Sequence, residues 1–372
     1  MSTKPSKGLN QSKRSLTNWV KSFRGSVTLL IAAVFIIIPL VTDADTSKVI
    51  LSPLLLIMVY IIFAASWDFL TGYTGQASFG HAIFMGVSMV AYSALIRDQE
   101  MNWLLALLIA ALLATAIAFL IGIPLQRMSG PYFAVGTLTL GVVFYLIWLL
   151  PELDNRGTWT LFPDLLYPGS GIYWPGSGGV SGIKVQAPIS GNIEIVYYIT
   201  MAFVVVSLVA MILLGRSKMG TIFKAIRDDE MGAKASGINI FKYKMIALMI
   251  SAFFAGVAGA LFVSKGTIGG ASTSTFSVAD SFIPIIIVML GGLTTISGSM
   301  LGAFIFVMYG EIIRFILPGV TMANPIMGSF LAASPNLIFA VIIMLILGFA
   351  PDGLMNPALN KLQKTWDLIA GK

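Results

Sequence analysis

The chain has no cysteine and a single histidine, His81. The first absence excludes disulfides and thiolate metal sites, and the second leaves no HExxH pair to hold zinc. Charge is scarce too: only 10% of the 372 residues are Asp, Glu, Lys or Arg. Soluble domains carry about 25%, so a water-facing surface cannot be assembled from this sequence. No GxxxxGK(S/T) loop is present to cradle nucleotide phosphates, and the chain is expected to hold no ATPase site of its own. No nucleophile–base–orienter set stands out, which argues against an enzyme. Nor does a clearly unpaired acid sit mid-span, as proton- or sodium-coupled carriers commonly require.

What is present is hydrocarbon. The chain is 57% hydrophobic with a mean hydropathy of +0.90, and apolar runs approaching the length of a bilayer-crossing helix recur along it. These runs do not alternate as the strands of a membrane barrel would. The fold class is therefore all-α, a polytopic helical membrane protein with about ten spans. They fall near 26–42, 49–67, 79–96, 102–123, 132–150, 195–214, 245–264, 281–297, 299–317 and 336–350. No small-x-small cleavage site follows Val27–Val41, so the first span is expected to be retained. The resulting parts are a basic N-terminal segment 1–25, a transmembrane domain 26–350 and a C-terminal tail 351–372.

The net charge of +7 is not spread evenly. Lys4, Lys7, Lys13, Arg14, Lys21 and Arg24 precede the first span, and Arg216, Lys218, Lys224, Arg227, Lys234, Lys242 and Lys244 crowd the loop 215–244. Lys/Arg-rich loops stay in the cytoplasm, so both termini and this loop are expected inside. Anionic lipid headgroups account for the basic residues better than nucleic acid does. The connection 151–194 then falls outside. It carries Glu152, Asp154, Asp164 and Glu194 against Arg156 and Lys184, with a Gly/Pro/Trp-rich stretch expected to be irregular.

The inward loop has a helical pattern from Ile222 to Ser236. Ile222, Phe223 and Ile226 lie on one side, Lys224, Arg227 and Asp228 elsewhere around it, and Gly237 supplies a stop. Two readings stand on physics alone. The helix docks on a soluble partner, or it rests on lipid headgroups.

Other clusters interrupt the apolar runs. Thr71–His81 (TGYTGQASFGH) places Gln76, Ser78, His81 and three glycines between two spans, and such backbone needs protein or a water-filled cavity around it. His81 is expected to satisfy a helix end, or else to line a path with Gln76 and Ser78. Ala252, Gly256 and Ala260 form a small-residue stripe for close helix packing, as do Gly298 and Gly302. Glu311 and Arg314 are placed to pair. Asp68 and Asp280 fall near span ends, where interfacial water can solvate them.

Six strings in order resemble the LivM-like permeases of branched-chain amino-acid ABC importers. They are GYTGQASFGHAIFMG (72–86), GPYFAVGTLTLG (130–141), AIRDDEMGAKASGIN (225–239), SAFFAGVAGALF (251–262), GGLTTISGSMLGA (291–303) and FAPDGL (349–354). The resemblance implies a translocation subunit paired with a second, related permease. Two cytoplasmic ATPases bind the ATP, and an external binding protein delivers the ligand. An ExxAxxxG pattern similar to the ATPase-coupling loop of such importers falls on Glu230, Ala233 and Gly237, with Phe223, Ile226, Arg227 and Asp229 beside it. Gly232 and Lys234 stand where an alanine and an acid are common. Gly75, Gln76, Ser78 and His81 are the residues expected to shape the pathway. The substrate expected is a branched-chain or related amino acid, with urea or a short-chain amide as the alternative. An ion-coupled secondary carrier using Glu311 or Asp68, and a membrane-embedded assembly subunit, are the competing readings.

Overall fold

Long apolar runs broken by Gly-rich or polar turns give helices joined at those turns. The computed structural model describes residues 44–99, 101–128, 130–149, 193–264, 276–294 and 296–323, with Pro39, 159–160, 173–174 and scattered positions between 339 and 354. Its helices are α1 (Ala44–Thr74), α2 (Ala82–Gln99), α3 (Trp103–Leu125), α4 (Pro131–Leu149), α5 (Ile193–Arg216), α6 (Lys218–Asp228), α7 (Glu230–Ala235), α8 (Ile240–Ser264), α9 (Val278–Gly291) and α10 (Ile296–Ala323). The one strand pair among the described residues joins Trp159–Thr160 to Tyr173–Trp174, antiparallel. Five helical stretches are long and apolar enough to cross a membrane: Val49–Thr74, Trp103–Leu125, Ile193–Arg216, Ile240–Ser264 and Gly298–Ile316.

Two helices form the centre. α8 packs along α1, α2 and α3, while α1 also meets α5, α9 and α10. Helices approach closely here because small residues face one another, the main packing device where lipid removes any hydrophobic drive between helices. Ala110, Ala111, Ala114 and Ala118 of α3 are fully buried, as are Ala252 and Ala260 of α8. A Cβ on Gly256 would lie 2.9 Å from the Ala111 Cα. The Gly256 carbonyl also accepts a 2.6 Å bond from the Ser88 hydroxyl of α2. The small-residue stripe is thus a packing seam. At the other end of the chain, α9 and α10 cross where Gly291 touches the Gly298 carbonyl and Gly302 touches that of Ile287.

The expected spans and the helices differ at three places. α2 starts at Ala82 rather than 79, because Gly75–His81 runs without helix. The span expected over 281–297 stops at Gly291, where Gly292 (φ 115°) and Thr294 (φ 62°) turn the chain into α10. With 14 residues and about 1.5 Å per residue, α9 falls short of a hydrocarbon core about 30 Å thick. Asp68, expected in interfacial water, is 3% exposed, since α1 continues past it to Thr74. The expected spans 26–42 and 336–350, the loop 151–194 and both terminal segments lie outside the described residues, apart from the positions named above.

Gly256→Leu should destabilise the chain by about 1–3 kcal/mol through overpacking of the α3–α8 seam. Gly310→Ala, where an added Cβ meets nothing within 4 Å, should leave stability unchanged. Thermal unfolding of the two purified variants in mild detergent, followed by size-exclusion fluorescence, checks the contrast.

Candidate functional site

The basic loop 215–244 is built as two short helices locked to the bundle. Ser217 caps α6 by accepting the Gly220 N–H. The i, i+3 spacing of Gly220, Phe223 and Ile226 then puts all three on the buried side. The Phe223 ring meets Phe69 of α1 edge-on at 6.0 Å and Tyr243 of α8 at 6.4 Å. This side chain fastens the loop to both central helices at once.

The single helix expected over 222–236 is broken at Asp229. Its backbone is extended (φ −152°, ψ 103°), its N–H closes α6 on Ala225, and its carboxylate accepts the Met231 N–H at 3.0 Å to cap α7. A short acid at this position substitutes for the missing backbone acceptor. A Cβ on Gly232 would lie against that carboxylate, so an alanine here would need the Asp229 side chain to shift. α7 ends in a Schellman motif: Ile238 N–H bonds the Ala233 carbonyl at 3.1 Å, Gly237 N–H bonds Lys234 at 3.0 Å, and Gly237 sits at φ 81°. The Glu230 carboxylate pairs with the buried Lys244 ammonium at 2.7 Å, tying α7 to α8.

The seven residues expected to couple to an ATPase therefore divide. Phe223, Ile226 and Ala233 face inward and hold the loop, while Arg227, Asp229 and Gly237 are exposed and Glu230 is half-buried. The outward surface also carries Lys224, Ala225, Asp228, Lys234 and Met231, the last 73% exposed. Sequence reasoning passed over Met231. The signal available was an apolar, adaptable side chain among charges on a polar face.

Behind the loop lies a polar junction. The Arg227 guanidinium donates to the Gly72 carbonyl in the last turn of α1. The Lys224 ammonium stands 5.5 Å above the Tyr73 ring. Asp68, one turn earlier on α1, accepts the Thr294 N–H at 2.8 Å. Gly72, Tyr73, Lys224, Arg227, Asp228 and Thr294 line a cavity of about 240 Å³ between these elements. Positive φ at a β-branched residue such as Thr294 is a strained conformation, worth about 1–3 kcal/mol. Glu311 and Arg314 pair on the surface of α10 at 3.4 Å.

The break between α1 and α2 is held from several sides. Gly75 (φ 73°) ends α1. The Trp67 indole N–H bonds the Ser78 carbonyl at 2.7 Å, and the Phe79 N–H bonds the Thr137 hydroxyl at 3.0 Å. The Gln76 amide reaches Gln126 at 2.6 Å. The Ser66 hydroxyl donates to Phe63, so at 2.9 Å it accepts from His81 Nε2, which fixes the protonated nitrogen. The His81 ring lies 5.4 Å from Phe63 and 5.5 Å from Phe84. Of the four expected pathway residues only Gly75 is exposed, while Gln76, Ser78 and His81 are buried within this chain. Gln76 Oε1, Ser78 Oγ and His81 Nδ1 are buried with no hydrogen-bond partner among the described residues.

Comparison with known proteins accords with this architecture. Over 269 residues the chain is 28% identical to the high-affinity branched-chain amino acid transport system permease protein LivM of Escherichia coli K12, covering 70% of this chain and 62% of the relative. It is 24% identical over 315 residues to a probable branched-chain amino acid transport permease protein LivM of Methanocaldococcus jannaschii, covering 81% and 79%. A nucleoside ABC transporter permease protein, NupC of Lactococcus lactis, is 26% identical over 149 residues, 40% of this chain and 45% of the relative. The match thus spans less than two thirds of the Escherichia coli relative's length. No solved structure matches. The family described as branched-chain amino acid transport system / permease component matches residues 49–348, and the chain belongs to it.

Proposed function

We propose that this chain is a pathway-forming permease of an ATP-driven importer for branched-chain or related amino acids. It pairs with a second, related permease, two cytoplasmic ATPases and an external binding protein. The observation that carries this reading is the inward loop. Two capped helices are rigidly attached to α1 and α8 through Phe223 and the Glu230–Lys244 pair, while Lys224, Asp228, Met231 and Lys234 face outward. A helix resting on lipid needs an apolar face turned to the bilayer; here that face is spent on the chain's own helices. The outward side is charged with one prominent apolar anchor, the composition of a polar docking surface with a central contact.

In this mechanism, closure of the ATPases moves α6 and α7, and the movement passes directly into α1 and α8. The basic loop and the basic N-terminal segment support a cytoplasmic side for both termini, with segments 1–25 and 351–372 flanking the transmembrane domain. Gly75, Gln76, Ser78 and His81 shape the pathway from the break in α1. Unpartnered buried polar atoms there support hydration during transport. The ligand is selected by the binding protein. The nucleoside permease among the relatives supports one subunit type serving several small polar substrates, so urea or a short-chain amide is the alternative cargo.

The test is purification of the tagged chain in mild detergent, identification of its companions, and reconstitution for uptake. Recovery with Walker-motif ATPases and ATP-dependent uptake of leucine, isoleucine or valine supports the importer. Uptake by the chain alone, driven by an ion gradient, replaces it with a secondary carrier. Met231→Asp should fold normally, because the side chain is exposed, yet weaken ATPase association about tenfold, or about 1.4 kcal/mol. Gly237→Pro removes the N–H that closes α7 and should abolish ATP-linked uptake while the chain still inserts. Normal uptake by that variant would exclude the coupling role.

A further inference from the structure

Three elements far apart in the sequence meet at one point on α1. Arg227 reaches back from the loop to the Gly72 carbonyl. That carbonyl belongs to the last turn of α1, where helix geometry leaves acceptors unpaired and favours a cation. Asp68 lies four residues earlier on the same face, with its carboxylate on the Thr294 N–H. The packing leaves no slack: a Cβ on Gly72 would stand 2.8 Å from Asp68 Oδ1 and 3.1 Å from the Thr294 methyl. The turn is backed by Gly353 and Leu354: the Leu354 N–H bonds the Leu290 carbonyl at 2.9 Å and Gly353 packs on Gly292.

We propose that Arg227 and Asp68 are positioning residues that make the end of α1 a linkage, carrying displacement of the inward loop to the α9–α10 turn. The inference rests on the ATP-driven importer reading and says which contacts transmit the motion. A bond between loop and α1 would move α1 alone. The second bond, from α1 to a turn held in a left-handed conformation at Thr294 (φ 62°), brings along α9, too short to span, and the start of α10. Two discrete arrangements follow for this turn, clasped by Asp68 or released to an ordinary φ, and coupling requires such a two-state element.

The experiment uses the full complex with its ATPases and binding protein in liposomes, scoring uptake per ATP hydrolysed. Asp68→Ala, which removes the acceptor, should assemble and hydrolyse ATP yet lower uptake per ATP roughly tenfold. Asp68→Asn keeps an acceptor oxygen and should stay within about threefold of the native ratio. Adding Thr294→Gly to Asp68→Ala should not restore the ratio, because glycine tolerates φ near 62° but does not replace the bond to α1; recovery in the double variant would overturn the linkage. A purely structural role for Asp68 would lower assembly and leave the ratio alone, and an unchanged ratio in Asp68→Ala overturns the linkage. Where Asp68→Ala fails to assemble, Arg227→Met decides, because its side chain starts from an exposed position: a lowered ratio supports the linkage and a native ratio overturns it. ATP-independent uptake by the native complex would instead remove the importer reading beneath it.

Discussion

Every backbone polar group in hydrocarbon must find a partner inside the protein, and this structure is organised around the place where that is hardest to satisfy. α1 stops at Thr74, and seven residues pass without helix before α2 begins. Each N–H or C=O freed and buried there costs free energy unless it is paired. The surroundings supply the pairs: the Trp67 indole, the Thr137 hydroxyl and the Arg227 guanidinium each take one backbone group of Gly72–Phe79. Because these partners, two donors and the accepting Thr137 hydroxyl, come from α1, α4 and α6, the break also becomes the point where those elements are registered against one another.

The central pair α1 and α8 transmits that registration. Gly259 of α8 lies against the Met85 carbonyl of α2, and Ser88 of α2 bonds the Gly256 carbonyl, while Gly256 packs on Ala111 and Ala114 of α3. A seam of this kind shifts as a body, since a packed interface tolerates few intermediate positions. Phe223 wedges between the two central helices, and the Glu230–Lys244 pair closes the same loop onto α8. A buried ammonium left without its carboxylate is strongly unfavourable, so the loop is held by charge as well as by packing. A rigid loop on a rigid pair is what a permease needs if a soluble partner is to move it.

Much of this was legible beforehand. Apolar run lengths mark the five membrane-length helices among the described residues, the cluster of Lys and Arg marks the loop 215–244, and the spacing of Phe223 and Ile226 marks that loop's buried face. Ala252, Gly256 and Ala260 announce a packing seam by their period. Other features were hidden because they depend on where a side chain finds its partner. Asp229 reads as one acid among three until its carboxylate is seen replacing a backbone acceptor. Asp68 reads as a solvated span end until α1 is seen to run past it. Gln76 and His81 find their partners in Gln126 and Ser66, pairings that no spacing in the sequence announces.

The sequence by itself determined the solvent this protein lives in and the periodicity of its helices, since both follow from local composition and spacing. It also determined the capping chemistry at Ser217 and Gly237, which needs only near neighbours in the chain. Only the tertiary structure decided that Arg227, Gly72, Asp68 and Thr294 meet. Contacts across as many as 226 positions leave no periodic trace, because a single polar bond is selected by the geometry of the packed helices and not by the residues beside it.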